Sequence, residues 1–262
     1  MIILRILRFL WQVPVLLVTV SFQYFWWMIR YSRHPEKYPL ELRYRRVHKV
    51  IRWVLKVFRI RYNIEGLEQL DNINAQYLMV PNHRSNLDPL VVLAVVDKPI
   101  TFVAKQEIRK YPIIGRCVRA LQGVFLDRGD LRQQLRTMKV VEEDMLSGHR
   151  NWVIFPEGTR NKKEDITCLL PFHHGSFRVP MNNDFHIVPL AMIGTNRIIS
   201  RKYMWRTDVT LKFCKPFKPS EIKNVTTSQE LAVYTQNIVH ESLIELSKID
   251  YTLVKQARKA KK

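Results

Sequence analysis

Short apolar runs alternate with helical patterns from about residue 62 onward, and this alternation limits the folds open to the chain. Six runs predict strands, the last half-buried and the others fully buried: residues 77–81, 100–104, 124–126, 152–155, 187–193 and 209–213. Strands that alternate with helices predict an α/β domain with a largely parallel sheet flanked by helices.

Two helices are clear from the spacing of their apolar residues. The first is expected to begin after Asp130, a good N-cap residue, and to end at Gly148. Its expected core face consists of Leu131, Leu135, Met138, Val141 and Met145. The second is expected to span residues 228–247, with a core face of Leu231, Tyr234, Ile238, Val239, Leu243 and Leu246.

Polar residues directly follow four of the predicted strands. His83, Lys105, Arg128 and residues 157–160 all stand at such strand ends. The active site of a parallel sheet lies beyond the carboxyl ends of its strands. These residues are therefore expected to meet in one site.

His83 and Asp88 stand five positions apart at a predicted strand-to-helix junction. A histidine can accept a proton near neutral pH, and a carboxylate on its other nitrogen fixes the tautomer and stabilises the imidazolium. The chain has no GxSxG nucleophile motif, so the pair indicates that a substrate hydroxyl is the nucleophile. A buried histidine satisfied by a polar neighbour is the alternative.

The segment around Gly158 predicts an anion site beside this pair. Glycine allows a tight turn with unobstructed N–H groups, and Arg160 offers a planar fork suited to phosphate oxygens. Lys105 and Arg128 would add positive charge from neighbouring strand ends. A structural turn with a solvated arginine is the alternative.

The remaining potential ligands do not predict a metal or a disulfide. His173 and His174 match no standard ligand spacing with the His–Asp pair, so no metal or other cofactor is expected. The three cysteines are far apart and odd in number, which argues for a reducing compartment. All three, Cys117, Cys168 and Cys214, are interpreted as small buried residues.

The net charge of +20 indicates an anionic partner, and its placement favours a membrane. Residues 9–29 carry no charge and are long enough to span a bilayer. Arginines flank this run on both sides, so a true span and a helix that re-enters one leaflet both remain open. Phe25, Trp26 and Trp27 are expected at the headgroup level.

Residues 43–62 combine basic residues with an apolar stripe at helical spacing, made of Tyr44, Val47, Ile51, Val54, Leu55 and Phe58. No acidic residue occurs there, which favours contact with an anionic membrane surface. An amphipathic helix that covers the core is the alternative. No nucleic-acid-binding motif accompanies the charge, so nucleic acid is not expected as a partner.

Four segments together resemble the motif blocks of the glycerolipid acyltransferases. Residues 82–88 resemble the NHxxxxD block, residues 105–115 with 123–128 the second block, residues 155–160 (FPEGTR) the third and residues 187–190 the fourth. The resemblance covers roughly residues 62–217. With its N-terminal membrane segment, the chain is most similar to the bacterial lysophosphatidic acid acyltransferases.

The resemblance implies that His83 is a general base oriented by Asp88, and that the acceptor phosphate is held by Arg160 and Lys105. It implies substrate binding by one wider set of residues: Lys105, Arg128, Glu157, Gly158, Thr159 and Arg160. The implied acceptor is lysophosphatidic acid, and the implied donor is acyl-CoA or acyl carrier protein. Another lysophospholipid or glycerol-3-phosphate as acceptor, or a non-catalytic membrane-binding protein on the same fold, are the alternatives.

The chain departs from the family pattern at three positions, and its expected division into segments follows from the patterns above. Arg84 stands where the family often has glutamine, and His173 and His174 stand where it often has lysines. The expected layout is a membrane-associated helical segment (1–61), an acyltransferase domain (62–250) and a basic tail (251–262). The chain is expected on the cytoplasmic face of the cell membrane, with the catalytic domain in the cytoplasm.

Overall fold

The computed structural model describes Pro14, Val18 and residues 21–198 and 207–259. In this part of the chain seven strands form one sheet in the order β1–β7–β6–β2–β5–β3–β4. They are β1 Ile60–Glu65, β2 Tyr77–Pro81, β3 Ile100–Lys105, β4 Val124–Leu126, β5 Asn151–Val153, β6 His186–Ile193 and β7 Thr207–Phe213. Neighbouring strands are parallel except β6 and β7, which are antiparallel. The expected, largely parallel sheet is confirmed, and β1 is a strand that the sequence patterns missed.

Helices cover both faces of this sheet. After a π-helical turn at Tyr24–Met28, the described helices are α1 Ile29–Arg33, α2 Leu40–Val57, α3 Asp88–Val95, α4 Ile114–Ala120, α5 Leu131–Leu146, α6 Arg178–Asn183 and α7 Ser228–Lys259. Buried residues of α1 to α4 form one hydrophobic cluster, and those of α5 to α7 form the other. Successive residues of β2, such as Met79 and Val80, enter opposite clusters because side chains point alternately to the two faces of a strand.

The apolar stripe of α2 faces the protein interior and not a bilayer. Tyr44, Val47, Ile51 and Leu55 are buried in the first hydrophobic cluster. The prediction that this stripe contacts a membrane is therefore wrong, and the alternative of a helix that covers the core holds. The exposed basic face of α2 remains available to an anionic surface, as does Phe58, the last residue of the stripe, which is 46% exposed.

A buried arginine ties α2 to the domain. Arg43 is 3% exposed, and its guanidinium donates to the carbonyl oxygen of Ala120 and, over 2.8 Å, to Oε1 of Gln122. Burial and the nearby Arg150 lower the pKa of Arg43.

Since α2 ends at Val57 and β1 begins at Ile60, the expected boundary at residue 61 falls inside a strand.

The end of the uncharged N-terminal run packs on the domain. Trp27, Met28 and Tyr31 belong to the first cluster, so Trp27 does not lie at the headgroup level as expected. Ten of the 21 residues from 9 to 29 lie outside the described residues, and the membrane insertion of this run stays a prediction. Among the residues that the structure describes, no helix has the length and apolar character needed to cross a bilayer.

Two helices differ from their expected form. In α5 the leucines at 131 and 135 are exposed, and the buried face includes Val141, Met145 and the polar Asp144. The polar residue can face inward because Arg150 and Trp152 both donate to its carboxylate. Helix α7 continues to Lys259, so the region expected as a tail from residue 251 extends a helix.

The cysteines follow the expectation in two of three cases. Cys117 and Cys214 are buried, but Cys168 is only half-buried because it lies in the loop that follows the third motif block. All three are free thiols. The core therefore uses two of them as small buried residues.

Replacing Asp144 by alanine is expected to destabilise the fold by about 3 kcal/mol, because it leaves the nearly buried Arg150 guanidinium without its carboxylate. Urea denaturation measures the change in the free energy of unfolding. The control is Glu143→Ala on the same helix, whose exposed pair with Lys139 contributes less than about 1 kcal/mol. Equal losses in the two variants would contradict the assignment.

Candidate active site

A histidine and a buried aspartate meet where β2 gives way to α3. Nδ1 of His83 lies 2.8 Å from Oδ2 of Asp88. The side chain of Asp88 is 1% exposed and that of His83 is 17% exposed. The carboxylate therefore holds one face of the imidazole while the ring stays accessible.

Three donors converge on one oxygen of the Asp88 carboxylate. Its Oδ2 also accepts the backbone N–H groups of Arg84 at 2.7 Å and Ser85 at 2.8 Å. An ionised carboxylate is an acceptor only, so Nδ1 of His83 must carry the proton in this contact. The lone pair of the neutral ring is then on Nε2, the nitrogen that a proton acceptor uses.

Two contacts fix the histidine from neighbouring strands. Asn82 is buried and exchanges two hydrogen bonds with the backbone of Met192, at 3.0 and 2.7 Å, which links the end of β2 to β6. The ring of Phe155 lies 4.5 Å from the ring of His83, centroid to centroid. The ring is therefore placed by the core beneath it.

Glu157 supports the same turn from the third motif block. Its Oε1 accepts the backbone N–H of His83 at 2.7 Å, and its Oε2 accepts that of Leu170 at 2.9 Å. The residue is 2% exposed, and this burial raises the pKa of its carboxyl group. Since both oxygens are occupied by backbone donors, Glu157 positions His83, and the expected direct contact with substrate does not fit this geometry.

Gly158 lets His173 and Arg128 pack closely against the turn beside the histidine. Its φ of 70° favours glycine, and a Cβ atom there would lie 2.9 Å from Cδ2 of His173 and 3.1 Å from Cζ of Arg128. Thr159 and Arg160 follow on the exposed side of this turn. Within the described part of the chain the Arg160 side chain has no hydrogen bond or ion pair, so its guanidinium is available to an anion.

The strand ends of β3 and β4 add further positive charge. Lys105 on β3 lies opposite Leu126 on β4, and Leu126 stands two residues before Arg128 in the chain. The amine of Lys105 is 2.8 Å from Oε1 of Glu107, and both side chains are about half exposed. Burial lowers the pKa of the Arg128 guanidinium, and the nearby Glu107 carboxylate partly offsets this effect. An anion that binds here would compete with Glu107 for these two cations.

The structure also shows positioning residues that the motifs did not reveal. The guanidinium of Arg84 donates to the carbonyl oxygens of Lys163 and Asp165. The backbone N–H of Asn161 donates to the carbonyl oxygen of His83 at 2.7 Å, and its side chain donates to that of Cys168. These partners lie far from one another along the chain, so spacing carries no signal for them.

The site does not resemble a metal centre. Among the described residues no group of three or more His, Cys, Asp or Glu side chains could hold a metal ion. His173 contacts the Gly158 turn, where it stands near Arg128, a cation rather than a ligand.

Comparisons with known proteins agree with the motif blocks. The sequence model of the Acyltransferase family matches residues 61–193. A probable 1-acyl-sn-glycerol-3-phosphate acyltransferase from Mycoplasma pneumoniae is 30% identical over 185 residues, which cover 68% of this chain and 67% of that protein. The 1-acyl-sn-glycerol-3-phosphate acyltransferase of Saccharomyces cerevisiae is 25% identical over 178 residues, 67% of this chain and 57% of that protein. The matched part of this chain thus spans about two thirds of the length of the first relative and somewhat more than half of the second.

A solved structure has a similar fold. The crystal structure of PlsC, the 1-acyl-sn-glycerophosphate acyltransferase of Thermotoga maritima, superposes with a TM-score of 0.69 at 23% identity. The match covers 94% of this chain and 97% of that one. At this identity the likeness concerns the fold alone.

Replacing Glu157 by glutamine is expected to lower the free energy of unfolding by about 1–3 kcal/mol, because the new NH₂ group must face a backbone N–H of His83 or Leu170. Chemical denaturation measures the loss. Glu164→Gln, an exposed change in the following loop, serves as the control and should have no effect. A fully stable Glu157→Gln protein would show that the two backbone donors do not depend on this carboxylate.

Proposed function

Because this chain belongs to the Acyltransferase family, we propose that it is a 1-acylglycerol-3-phosphate O-acyltransferase. It would move a fatty acyl group from an acyl thioester to the sn-2 hydroxyl of lysophosphatidic acid and give phosphatidic acid. The observation that carries this proposal is His83, held through Nδ1 by a buried carboxylate and accessible on its other side. Names of the relatives support the choice of acceptor.

In the proposed mechanism Nε2 of His83 acts as the general base. It takes the proton of the acceptor hydroxyl while that oxygen attacks the thioester carbonyl. The tetrahedral intermediate then collapses, the C–S bond breaks, and the imidazolium returns the proton to the leaving thiolate. Asp88 stabilises the imidazolium while it exists, since their contact is short and shielded from water.

The acceptor phosphate would bind among the cations at the strand ends. Arg160 has a free guanidinium in the described structure, and Lys105 and Arg128 come from neighbouring strands. A guanidinium can hold two phosphate oxygens at once. The phosphate would thereby place the sn-2 hydroxyl beside His83. The donor would be a thioester of coenzyme A or of acyl carrier protein.

A membrane location follows from the substrate and from the N-terminal segment. Val18, Phe22 and Trp26 recur every fourth residue and are all exposed, at 70%, 61% and 56%. The Arg30 guanidinium lies 5.0 Å from the Trp26 ring centroid, an arrangement suited to the headgroup region. We place this stripe in the bilayer surface on the cytoplasmic face of the cell membrane.

His83→Ala is expected to lower kcat by about a hundredfold to ten-thousandfold, the usual effect of removing a general base. Asp88→Asn should also be impaired, because a neutral amide cannot stabilise the positive charge of the imidazolium as the carboxylate does. Transfer by purified protein is measured with radiolabelled lysophosphatidic acid, lysophosphatidylglycerol and glycerol-3-phosphate, each with both donor types.

The control for this experiment is His149→Ala, an exposed histidine beside Ser147 at the far end of α5, which should keep full activity. Near-normal turnover by folded His83→Ala would refute the mechanism. Faster use of glycerol-3-phosphate than of lysophosphatidic acid would change the assigned acceptor but leave the mechanism intact.

Phe22→Glu combined with Trp26→Glu is expected to release more protein from anionic liposomes at high salt, because apolar insertion is not screened by ions whereas charge attraction is. Sedimentation measures the bound fraction. The control is Leu131→Glu with Leu135→Glu, two exposed leucines of α5, which packs on the other face of the sheet. Equal release by both double variants would contradict a specific membrane face at the N-terminus.

A further inference from the structure

Two cationic or potentially cationic side chains converge over the Gly158 turn. Nε2 of His173 and Cζ of Arg128 would each lie 3.1 Å from a Cβ atom at Gly158. Because glycine has no Cβ atom, the imidazole and the guanidinium can both pack closely against this turn and stand side by side. Both side chains are exposed, so a ligand can reach the pair from solvent.

The backbone holds His173 in place while leaving its ring free. Its N–H donates to the carbonyl oxygen of Pro156 at 2.9 Å, and its own carbonyl oxygen accepts the N–H of Ser176 at 3.0 Å. The preceding Phe172 is buried, and its N–H donates to Oε1 of Gln236 at 3.0 Å. Within the described residues neither ring nitrogen of His173 has a hydrogen-bond partner.

The charges around this ring favour an anionic ligand. Nearby carboxylates have other partners: Glu157 accepts two backbone N–H groups, Glu107 pairs with Lys105, and Asp127 accepts the N–H of Gly129. Three other charged or titratable groups lie near the ring. His174 follows it in the chain, Arg160 belongs to the Gly158 turn, and Arg128 reaches Gly158 from another loop. The helix α7, which contacts the His174–Phe177 turn, contributes the neutral Gln236.

We propose that His173 is a further acceptor-binding residue, which joins Arg128 in holding the phosphate over Gly158 and makes acceptor binding pH-dependent. This inference rests on the proposed function. The protonated imidazole supplies a positive charge and a donor to the phosphate oxygens, whereas the neutral ring supplies no charge. Acceptor binding is therefore expected to be tighter with the protonated ring than with the neutral ring.

The test compares wild type with His173→Lys and His173→Gln between pH 6 and pH 8. Lysine keeps its charge over this range and glutamine has none, so each fixes one state of the histidine. The ratio of the acceptor KM of wild type to that of His173→Lys is expected to rise about threefold to tenfold over this range, the effect of losing one exposed charge-assisted contact. The ratio of the acceptor KM of His173→Gln to that of His173→Lys should be high at both pH 6 and pH 8. Ionisation of the phosphate itself cancels in these ratios because every variant meets the same acceptor.

The matched control is His174→Lys, which changes the adjacent exposed histidine and should keep the pH dependence of wild type. The donor KM should be unchanged in all variants. A flat ratio would overturn the proposal, as would a change confined to the donor KM, which would assign the pair of His173 and Arg128 to the donor's phosphates.

Binding without turnover separates this inference from the proposed function. Inorganic phosphate is titrated against the full-length protein while the ring signals of His173 are followed by NMR, with His174 as the internal reference. A shift of the His173 signals alone supports the anion site even if lysophosphatidic acid proves not to be the acceptor. No shift of the His173 signals overturns the inference even if transfer to lysophosphatidic acid is observed.

Discussion

The buried carboxylate of Asp88 is the interaction on which the site depends. Three N–H groups, one from the imidazole and two from the backbone, donate to a single oxygen of this side chain. Burial of a carboxylate is costly unless donors satisfy it, and here the donors come from the turn that carries His83. The same contacts therefore offset part of the cost of burial, shape the turn between β2 and α3, and orient the ring for the proton transfer proposed above.

A second buried carboxylate holds the same turn from outside. Glu157 accepts one N–H from His83 and another from Leu170, so it joins the histidine turn to the loop after the third motif block. Arg84 extends this joint by binding carbonyl oxygens of the same loop. Because of this coupling, the Gly158 turn, proposed to bind an anion, and His83, the proposed base, are held in one arrangement. This rigidity suits a reaction in which the phosphate at one place sets the hydroxyl at another.

The amphipathic helix α2 shows how one sequence pattern can serve two surfaces. Its apolar stripe is used by the core, and Arg43 is drawn inward by the carbonyl oxygen of Ala120 and by Gln122. The other basic residues of α2 remain outside, on the same sheet face as the N-terminal segment. Charge next to an exposed apolar stripe is what an anionic bilayer attracts, so this arrangement supports the membrane contact proposed for the N-terminus.

The sequence by itself determined the strand and helix pattern and the strand ends at which the reactive side chains stand, because periodicity and position after a strand are local properties. The strand β1 was missed because basic residues continue from the helix into it, and the inward face of α5 was misjudged because Arg150 and Trp152 make a buried Asp144 acceptable. Only the tertiary structure decided that Glu157 supports a backbone and that His173 meets Arg128 over Gly158. Those relations join residues from separate loops, and they exist only once the sheet brings the strand ends together.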